Sequence, residues 1–411
     1  MRELSKDDFY SISQLQIAYA DFQPITTTAT IYANGNNQVA VMVRVKLEDQ
    51  DGNPASVPED VVTNAVYLCE FNGGEEFIEV DADGNTLAGN GAQPATSIRY
   101  SRTRNAYCNA ITPSEAEGYA SAEADVSDGT ILVTLYVSAS ELVDGRAIAC
   151  GIKASGELFN SSVTGSRALM PSGQPFHFPS SVELLTRPPI DYSLADNLVV
   201  RDKMWKSNHD LTVVVSNDTL YHPRTANTAH GVSSKAECSI YTKLPAHKFV
   251  KKTIKRNYAL GRTSGTSIEF FSDIKDTTGN QCADIVWGSW QGDGEASYEI
   301  SVIFIDSAKY GMTKADFWLH WHGQHIAYRF DDANHHWTTP LADDAIRINF
   351  CNYHIPGDFF FRMDGWEKEN WANSALSTVV TVADNYGNTG DITIKAENER
   401  WPALLINDHI F

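Results

Sequence analysis

The side chains best suited to chemistry form a histidine cluster in the second half of the chain. This cluster consists of His320, His322 and His325, with Gly323 between the last two. Side chains two positions apart on a β-strand share a face, so His320 and His322 are predicted to be able to hold one metal ion. His325, or a carboxylate at 331–332, would then supply a third ligand. Such a site would lie within one chain, or on a symmetry axis where each chain contributes a His-x-His pair.

The histidine cluster also fits a strand that binds nothing, with the imidazoles on one face and Phe317, Leu319 and Trp321 on the other. No His-Glu-x-x-His motif and no third ligand at a fixed spacing accompanies it. We therefore expect no cofactor, and a transition metal at the histidine cluster is the alternative.

All nine tryptophans lie beyond residue 200, and several have carboxylates nearby. An indole beside carboxylates is a common arrangement for stacking a sugar ring and binding its hydroxyls, and tryptophan also anchors protein interfaces. Core filling explains most of these residues, but one or two are expected at a binding face. The candidates for a ligand-binding surface are Trp287, Trp290, Trp318, Trp321 and Trp366.

The pattern Asp-x-Asp-Gly-Asn occurs twice, at Asp49–Asn53 and at Asp81–Asn85. Its carboxylates and amide resemble a set of calcium ligands. An EF-hand loop, however, needs its glycine at the sixth position and a glutamate at the twelfth, whereas the glycine here is fourth. Because Asp-Gly is also a strong hairpin signal, the pattern favours plain turns over calcium loops.

Motifs for nucleophilic or phosphate chemistry are missing from the sequence. It contains no Gly-x-Ser-x-Gly elbow and no glycine-rich phosphate loop. Adjacent carboxylates such as those at 343–344 arise by chance in a chain with 52 acidic residues. We therefore predict a protein that is not an enzyme.

The net charge of −20 argues against nucleic acid or an anionic membrane surface as a partner. The one basic run, at 247–256, alternates apolar and charged residues as a solvated strand face does. No stretch approaches the ~20 apolar residues of a membrane span. The amino terminus lacks the apolar segment of a secretory signal, so we expect synthesis in the cytoplasm without a signal peptide. A protein that is then released or particle-associated, and acts extracellularly, is compatible with this.

The six cysteines include no Cys-x-x-Cys pair, which excludes a zinc ribbon or a thioredoxin-type motif. Three lie in each half of the chain, so pairing within each half would leave one over. Free, buried thiols are the simpler prediction, and they indicate synthesis in a reducing compartment.

Alternation of apolar and polar residues predicts β-strands throughout the chain, most clearly at 39–47. In the first half, further strands are predicted at 64–71, 76–80, 130–138 and 146–154. In the second half, strands are predicted at 211–215, 267–271, 298–305, 316–322, 345–350, 377–382 and 391–395. Helix signals are weak and fall at 113–125 and 366–374.

These patterns predict an all-β fold of two or more antiparallel β-sandwich domains. Five prolines between 165 and 200 indicate an extended connection. We predict a first sandwich domain at 1–174, a proline-rich linker at 175–200 and a second, Trp/His-rich sandwich domain at 201–411.

Residues 29–54 combine Ala-Asn-Gly at 33–35 with Gln-Val-x-Val-x-Val-x-Val from Gln38 and Asp-x-Asp-Gly-Asn-Pro from Asp49. This segment resembles the opening strands of bacterial immunoglobulin-like domains of the invasin type. The resemblance implies that the first domain is immunoglobulin-like, with a long insertion between Gly84 and Ser127. It also implies a module of surface, adhesive or phage-particle proteins, and it brings no catalytic residues.

The function expected from these observations is a non-enzymatic structural or recognition component of a bacterial or phage-derived particle, such as a tail, an injection system or an adhesin. The second half would present the binding surface. Its partners would be proteins of an assembly or a cell-surface glycan, and the chain would be able to form a homo-oligomer. The alternatives are a secreted β-rich toxin or effector and a metal-dependent hydrolase that uses the histidine cluster.

Overall fold

A computed structural model describes much of the first half of the chain and most of the strands of the second. The described residues are 2–19, 27–81, 84–87, 97–111, 129–164, 169–174, 176, 179–219, 222–223, 227–256, 271–274, 285–291, 297–305, 315–321, 324–331, 344–355, 377–396, 404–407 and 409–410. Some of these strand residues are described by backbone position and pairing alone; they fall within 204–236, 254–331, 349–355, 377–378, 395–396, 404–405 and 409–410.

The chain divides into two compact units. Unit 1 comprises Met1–Ile190 and Asn385–Asn388, and unit 2 comprises Asp191–Asp384 and Thr389–Phe411. Both units are built mainly of β-strands arranged in several sheets. The predicted all-β class is thus confirmed.

The described strands of unit 1 form two sheets. They are β1 (Ser11–Tyr19), β2 (Thr28–Tyr32), β3 (Val39–Glu48), β4 (Val66–Glu70), β5 (Ile78–Val80), β6 (Ile98–Ser101), β7 (Ile131–Ala139), β8 (Arg146–Ala154), β9 (Glu157–Asn160) and β10 (Val182–Arg187). One sheet has the order β1-β3-β7-β6-β5, and the other has the order β2-β10-β8-β4 with β9 beside β8. The pairings are antiparallel except for β2 with β10 and β5 with β6, which are parallel.

The core of unit 1 follows from the alternation in β3. Every second residue of this strand is buried, as predicted: Val39, Val41, Val43, Val45 and Leu47. They belong to one hydrophobic cluster that also contains Leu68 of β4 and Ile152 of β8, so both sheets contribute to it. Full burial of an aliphatic side chain stabilises the fold by about 1.5–3 kcal/mol, which makes this cluster the main source of stability in the unit.

Unit 1 also contains a short helix, α1 (Glu59–Ala65), which is not among the predicted elements. Its start carries a readable signal, because Pro58 precedes it and Glu59 and Asp60 occupy its first turn. Carboxylates at that end complement the helix dipole. Val61 and Val62 are buried, so the helix is held by its apolar side.

Arg102 closes the other end of α1. Its two Nη atoms donate to the carbonyl oxygens of Thr63 and Val66, each at 2.7 Å. Its Nε donates to Oε1 of Glu79 at 2.7 Å. The last carbonyls of a helix have no partner within the helix, and here the planar guanidinium supplies one.

Unit 2 contains the remaining described strands. They are β11 (Leu198–Thr219), β12 (His222–Pro223), β13 (Asn227–Thr242), β14 (Phe249–Arg256), β15 (Phe271–Ile274), β16 (Ile285–Gln291), β17 (Ser297–Ile305), β18 (Ala315–Trp321), β19 (Gln324–Asp331), β20 (Ile346–Ile355), β21 (Ser377–Asp384), β22 (Thr389–Ala396), β23 (Leu404–Ile406) and β24 (His409–Ile410). The larger sheet has the order β15-β18-β19-β11-β13-β20-β17-β16 with β12 beside β11, and the smaller sheet has the order β14-β21-β22-β23-β24.

Two long strands run through the middle of the larger sheet. β11 has 22 residues and β13 has 16, and they pair with each other in antiparallel fashion. At about 3.3 Å per residue, β11 is roughly 70 Å long. This pair carries β19 and β18 on one side and β20, β17 and β16 on the other, and it therefore positions every candidate residue of the second half that the structure describes.

The basic run contains the whole of β14, an edge strand of the smaller sheet among the described residues. Val250 and Lys251 are exposed there, in agreement with the predicted solvated strand. Charged side chains, lysine above all, discourage an edge strand from pairing with another chain, which gives this run a structural explanation.

Several predictions concern segments that the structure describes in part or not at all. The helices predicted at 113–125 and 366–374 lie outside the described residues. The range 175–200, predicted as a linker, contains β10 and the first residues of β11. The predicted insertion between Gly84 and Ser127 contains β6, and 102–111 follow it.

Candidate functional site

The hairpin of β18 and β19 holds the described members of the histidine cluster. His320 of β18 pairs directly with His325 of β19, and Trp321 pairs with Gln324. Trp318 lies on the same strand, opposite Ala327. His322 and Trp366 lie outside the described residues.

Strand pairing sorts this end of the larger sheet into two faces, since directly paired residues share a face and neighbours along a strand alternate. One face, called the polar face here, carries Asp316, Trp318 and His320 of β18, His325, Ala327, Arg329 and Asp331 of β19, Thr212, Val214, Ser216 and Asp218 of β11, and Phe271 and Asp273 of β15. The opposite, mostly apolar face carries Ala315, Phe317, Leu319 and Trp321 of β18, Gln324, Ile326, Tyr328 and Phe330 of β19, Leu211, Val213, Val215 and Asn217 of β11, and Ser272 and Ile274 of β15. Most polar residues fall on one face and most apolar residues on the other, a bias that is common in antiparallel sheets.

The other predicted tryptophans divide in the same way. Trp290 pairs with Tyr298 and shares its face with Ile300 and Val302, whereas Trp287 pairs with Ser301. The face of Trp287 can be followed across the sheet through directly paired residues. Trp287 pairs with Ser301, Ser301 with Asn352, and Asn352 with Ser234. Val232 is two positions from Ser234 on the same face of β13, and it pairs with Asp210 of β11. Asp210 and Asp218 are an even number of positions apart on β11 and therefore share a face. Trp287 and Trp318 thus belong to the polar face, and Trp290 and Trp321 belong to the apolar face.

The polar face does not keep its character along the whole sheet. Toward the opposite end of β13 and β20, the same set of positions holds Ile240 and Ile346, which pair with each other and are buried. The polar residues of this face are therefore concentrated in the part of the sheet that carries Trp287, Trp318 and His320.

A carboxylate that the sequence does not point to lies next to the histidines. Asp218 of β11 pairs with His325, so Asp218, His325 and His320 occupy one row across three neighbouring strands. Asp331, which sequence spacing suggests as a ligand, pairs instead with Thr212. It is six residues from His325 along β19, about 20 Å away along the strand.

The most closely connected polar cluster with described side chains is buried elsewhere in unit 2. Oδ2 of Asp384 accepts a hydrogen bond from Oη of Tyr192 at 2.8 Å and lies 2.6 Å from Nδ1 of His247. All three residues are buried, and the ring of Phe249 packs edge-on against Tyr192 with centroids 5.2 Å apart. The backbone is held as well, because Nδ2 of Asn407 donates to the carbonyl of Tyr192 at 3.1 Å.

A carboxylate that orients an imidazole is also part of many general-base sites. In this cluster, however, the phenol and the imidazole converge on the same carboxylate oxygen, and burial keeps all three from bulk solvent. A fully paired buried network of this kind rigidifies a core. The sequence offers no local signal for it, because its members come from three segments that are far apart in the chain.

Both Asp-x-Asp-Gly-Asn motifs adopt the same turn, as predicted. Oδ1 of Asp49 accepts from the backbone nitrogens of Asp51 and Asn53, each at 2.9 Å. These bonds lower the pKa of the Asp49 carboxyl, the bond from Asn53 having the largest effect. Oδ1 of Asp81 accepts from the backbone nitrogen of Asn85 at 2.8 Å in the corresponding position. The first aspartate of each motif thus closes its own turn.

The described thiols fit the prediction of free, buried cysteines. Cys69, Cys150 and Cys238 are free and buried. Burial raises the pKa of the Cys150 and Cys238 thiols to about 12. Burial also raises the pKa of the Cys69 thiol. Neutral thiols in an apolar setting are poor nucleophiles and poor metal ligands, so these three residues are part of the core.

Among the side chains that the structure describes, no group of three or more His, Cys, Asp or Glu residues is arranged to hold a metal ion. Within the same part of the chain, no helix has the length and apolar character needed to cross a membrane.

Comparison with known proteins gave no match. No protein-family model, no curated protein and no solved structure is significantly similar to this chain.

Proposed function

We propose that this protein is a non-enzymatic recognition or structural component of a bacterial or phage-derived particle. Unit 1 would be an immunoglobulin-like β-sandwich that serves as attachment or spacer. Unit 2 would be a second sandwich, and its polar face would bind a cell-surface glycan.

The observation that carries this proposal is the position of Trp318. Its neighbour of the same kind, Trp321, falls on the apolar face, where a large hydrophobic side chain is expected. Trp318 instead shares a face with Asp316 and His320, which lie two positions away on β18, and its direct partners on the flanking strands are Phe271 and Ala327. A tryptophan beside an apolar partner and acidic and histidine positions on one sheet face offers both an aromatic surface and hydrogen-bonding groups, and this is the combination that a sugar ring requires.

Trp287 supports the same proposal from the other side of the sheet. It pairs with Ser301 on the polar face, and Glu299 and His354, which pair with each other, lie on that face in the next row. The polar face therefore has two tryptophans, each near a carboxylate and an imidazole. For the particle role, the support is the invasin-type resemblance of residues 29–54 and the well-packed sheets that this segment helps to form.

The test compares Trp318→Ala with Trp321→Ala in the full chain, on an array of bacterial and host glycans. We expect Trp318→Ala to lose binding at least tenfold with an unchanged unfolding midpoint, since stacking on one aromatic contributes roughly 1.4 kcal/mol or more. Trp321→Ala is expected to lower the unfolding midpoint, because truncating a core tryptophan removes about 3–5 kcal/mol. If Trp318→Ala binds like the wild type, or destabilises as much as Trp321→Ala, the polar face is not the binding surface.

A further inference from the structure

Residues 385–388, the loop that joins β21 to β22, belong to unit 1, although the strands on either side of the loop belong to unit 2. The chain therefore passes from one unit to the other at three points, after Ile190, after Asp384 and after Asn388. We infer that this loop is a latch, which keeps the two units joined even when the connection at 188–190 is cut. The inference does not depend on glycan binding.

Asparagine side chains of unit 1 donate hydrogen bonds to the main chain of the latch. Nδ2 of Asn34 donates to the carbonyl oxygen of Tyr386 at 3.0 Å. Nδ2 of Asn109 donates to the carbonyl oxygen of Asn385 at 2.6 Å. The two donors are 352 and 276 positions away in the chain from the carbonyls that they bind. The latch is therefore held by remote segments of unit 1, in addition to its own turn.

The side chains of the latch are buried. Tyr386 is 9% exposed, and its ring packs edge-on against that of Tyr32 with centroids 5.7 Å apart. Asn388 is 0% exposed, and its Oδ1 accepts from Nδ2 of Asn34 at 3.0 Å and from the backbone nitrogen of Ile190 at 3.1 Å. Withdrawal of the latch would leave these amide groups without their partners, which is unfavourable for buried polar atoms.

Gly387 allows the latch to lie close against the neighbouring loops of unit 1. A Cβ atom at this position would be 2.7 Å from Cβ of Asn36 and 3.1 Å from Cγ of Tyr107. The φ angle of Gly387 is +75°, which residues with a side chain rarely adopt. Both the close approach and the backbone conformation therefore require glycine here.

The loops that receive the latch are fixed by their own hydrogen bonds. Oδ1 of Asn37 accepts from the backbone nitrogen of Tyr32 at 2.8 Å. Nδ2 of Asn37 donates to the carbonyl oxygens of Tyr107 and Asn109 at 2.9 and 2.8 Å. Oδ1 of Asn34 accepts from the backbone nitrogen of Asn37 at 2.7 Å. Because the groups that bind the latch are already ordered, holding it costs little further conformational entropy.

The latch is also fixed to unit 2, through the two strands that it joins. Residues of β21 from Ser377 to Ala383 pair directly with residues of β22 from Thr389 to Lys395. The units can therefore separate after a cut at 188–190 only if the contacts of the latch or the pairing of β21 with β22 is broken. This is the physical basis for the expected resistance to separation.

The experiment introduces a protease site between Pro188 and Pro189, both of which are exposed, and cuts the folded full-length protein there. We expect fragments 1–188 and 189–411 to elute together in size-exclusion chromatography, with the mass of the uncut chain by light scattering. Combined Tyr386→Ala and Asn388→Ala substitutions remove the contact with Tyr32 and the Oδ1 acceptor. After the cut, this double variant should lose co-elution and give two separate fragments.

Two further variants sharpen the comparison. Asn109→Ala changes an exposed residue of unit 1, leaves the sequence of the hairpin intact, and should weaken association of the cut fragments about fivefold, as expected for one hydrogen bond. Phe176→Leu is the control for general loss of stability, because the ring of Phe176 packs edge-on against Phe159 in the core of unit 1. It should lower the unfolding midpoint, and its cut fragments should still elute together.

Separation of the wild-type fragments after the cut would overturn the inference, since the latch would not hold them. Co-elution of the fragments of the double variant would overturn it as well, because another feature would then join the units. Equal release by Phe176→Leu would attribute the release to lost stability. If circular dichroism shows that the double variant is unfolded before the cut, Asn109→Ala decides, and wild-type affinity in that variant would count against the latch.

Discussion

Replacing Tyr192 by phenylalanine tests whether the buried cluster of Tyr192, His247 and Asp384 is a structural element of unit 2. The substitution removes the hydroxyl that donates to Oδ2 of Asp384 at 2.8 Å and leaves the ring in place. The ring keeps its edge-on contact with Phe249, whose centroid is 5.2 Å away. The change therefore isolates one hydrogen bond in a buried setting.

The expected loss follows from the nature of that bond. A hydrogen bond to a charged group contributes about 1.5–3 kcal/mol, more than one between neutral groups. Asp384 is buried and keeps His247 as a partner at 2.6 Å, so its carboxylate still has a polar neighbour after the substitution. We expect Tyr192→Phe to lower the free energy of unfolding by about 2 kcal/mol. Asp384→Ala removes the acceptor of both partners and should lower it by about 3–5 kcal/mol.

Urea unfolding, followed by circular dichroism and tryptophan fluorescence, measures the effect. All nine tryptophans lie beyond residue 200, so fluorescence reports on unit 2. With a slope of about 2 kcal/mol per molar urea, the midpoint of Tyr192→Phe should fall by roughly 1 M. Tyr241→Phe is the matched control, because the Tyr241 hydroxyl also donates to an aspartate, Asp202, at 3.3 Å, but in an exposed setting. Its effect should stay within about 0.5 kcal/mol.

Equal midpoints for Tyr192→Phe and Tyr241→Phe would refute this reasoning, since the buried bond would then be worth no more than the exposed one. A second result would change the functional class. If Tyr192→Phe and His247→Gln left stability unchanged but abolished a measurable turnover, the carboxylate–imidazole pair would have to be regarded as catalytic machinery.

Three further predictions concern unit 1, which contains no tryptophan, and use urea unfolding followed by circular dichroism. Arg102→Lys should lose about 1–3 kcal/mol, because an ammonium cannot serve two helix carbonyls and Glu79 at once, and a wild-type midpoint would contradict that. Gly151→Ala should lose about 1–3 kcal/mol, because its Cβ would lie 2.3 Å from Cζ of Tyr67; Tyr67→Leu should restore part of that loss, and additive effects would argue against the clash. The pKa of the Cys150 thiol is raised from 9.0 to about 12, so the unfolded chain releases that proton first and stability should fall as the pH rises from 9 toward 12. Cys150→Ala should make that fall less steep than in the wild type, and an unchanged slope would contradict it.

The strands of unit 1 could be predicted because their signal is local. In β3 the alternation of Val43, Val45 and Leu47 with Arg44 and Lys46 determines both the element and its buried face. Helix α1 lacks such a signal, since it spans only seven residues and its stability depends on Arg102, which is remote in the chain. No local pattern predicts the parallel pairing of β2 with β10 either, because the paired residues are about 150 positions apart in the chain.

In the histidine cluster, the residues expected to be neighbours change once the strand pairing is known. Spacing alone favours His320 with His322, because positions two apart on one strand share a face. Pairing of Trp321 with Gln324 leaves only two residues between the strands, a length typical of a tight hairpin, and it brings His320 opposite His325. The Gly323 in between was a usable sign of that turn. Asp218 is different, since 107 positions separate it from His325 and only the pairing of β11 with β19 makes them neighbours. Neighbours that lie within one hairpin, such as His320 and His325, can therefore be predicted from sequence, whereas the pairing of Asp218 with His325 depends on how the long strand β11 pairs with the hairpin.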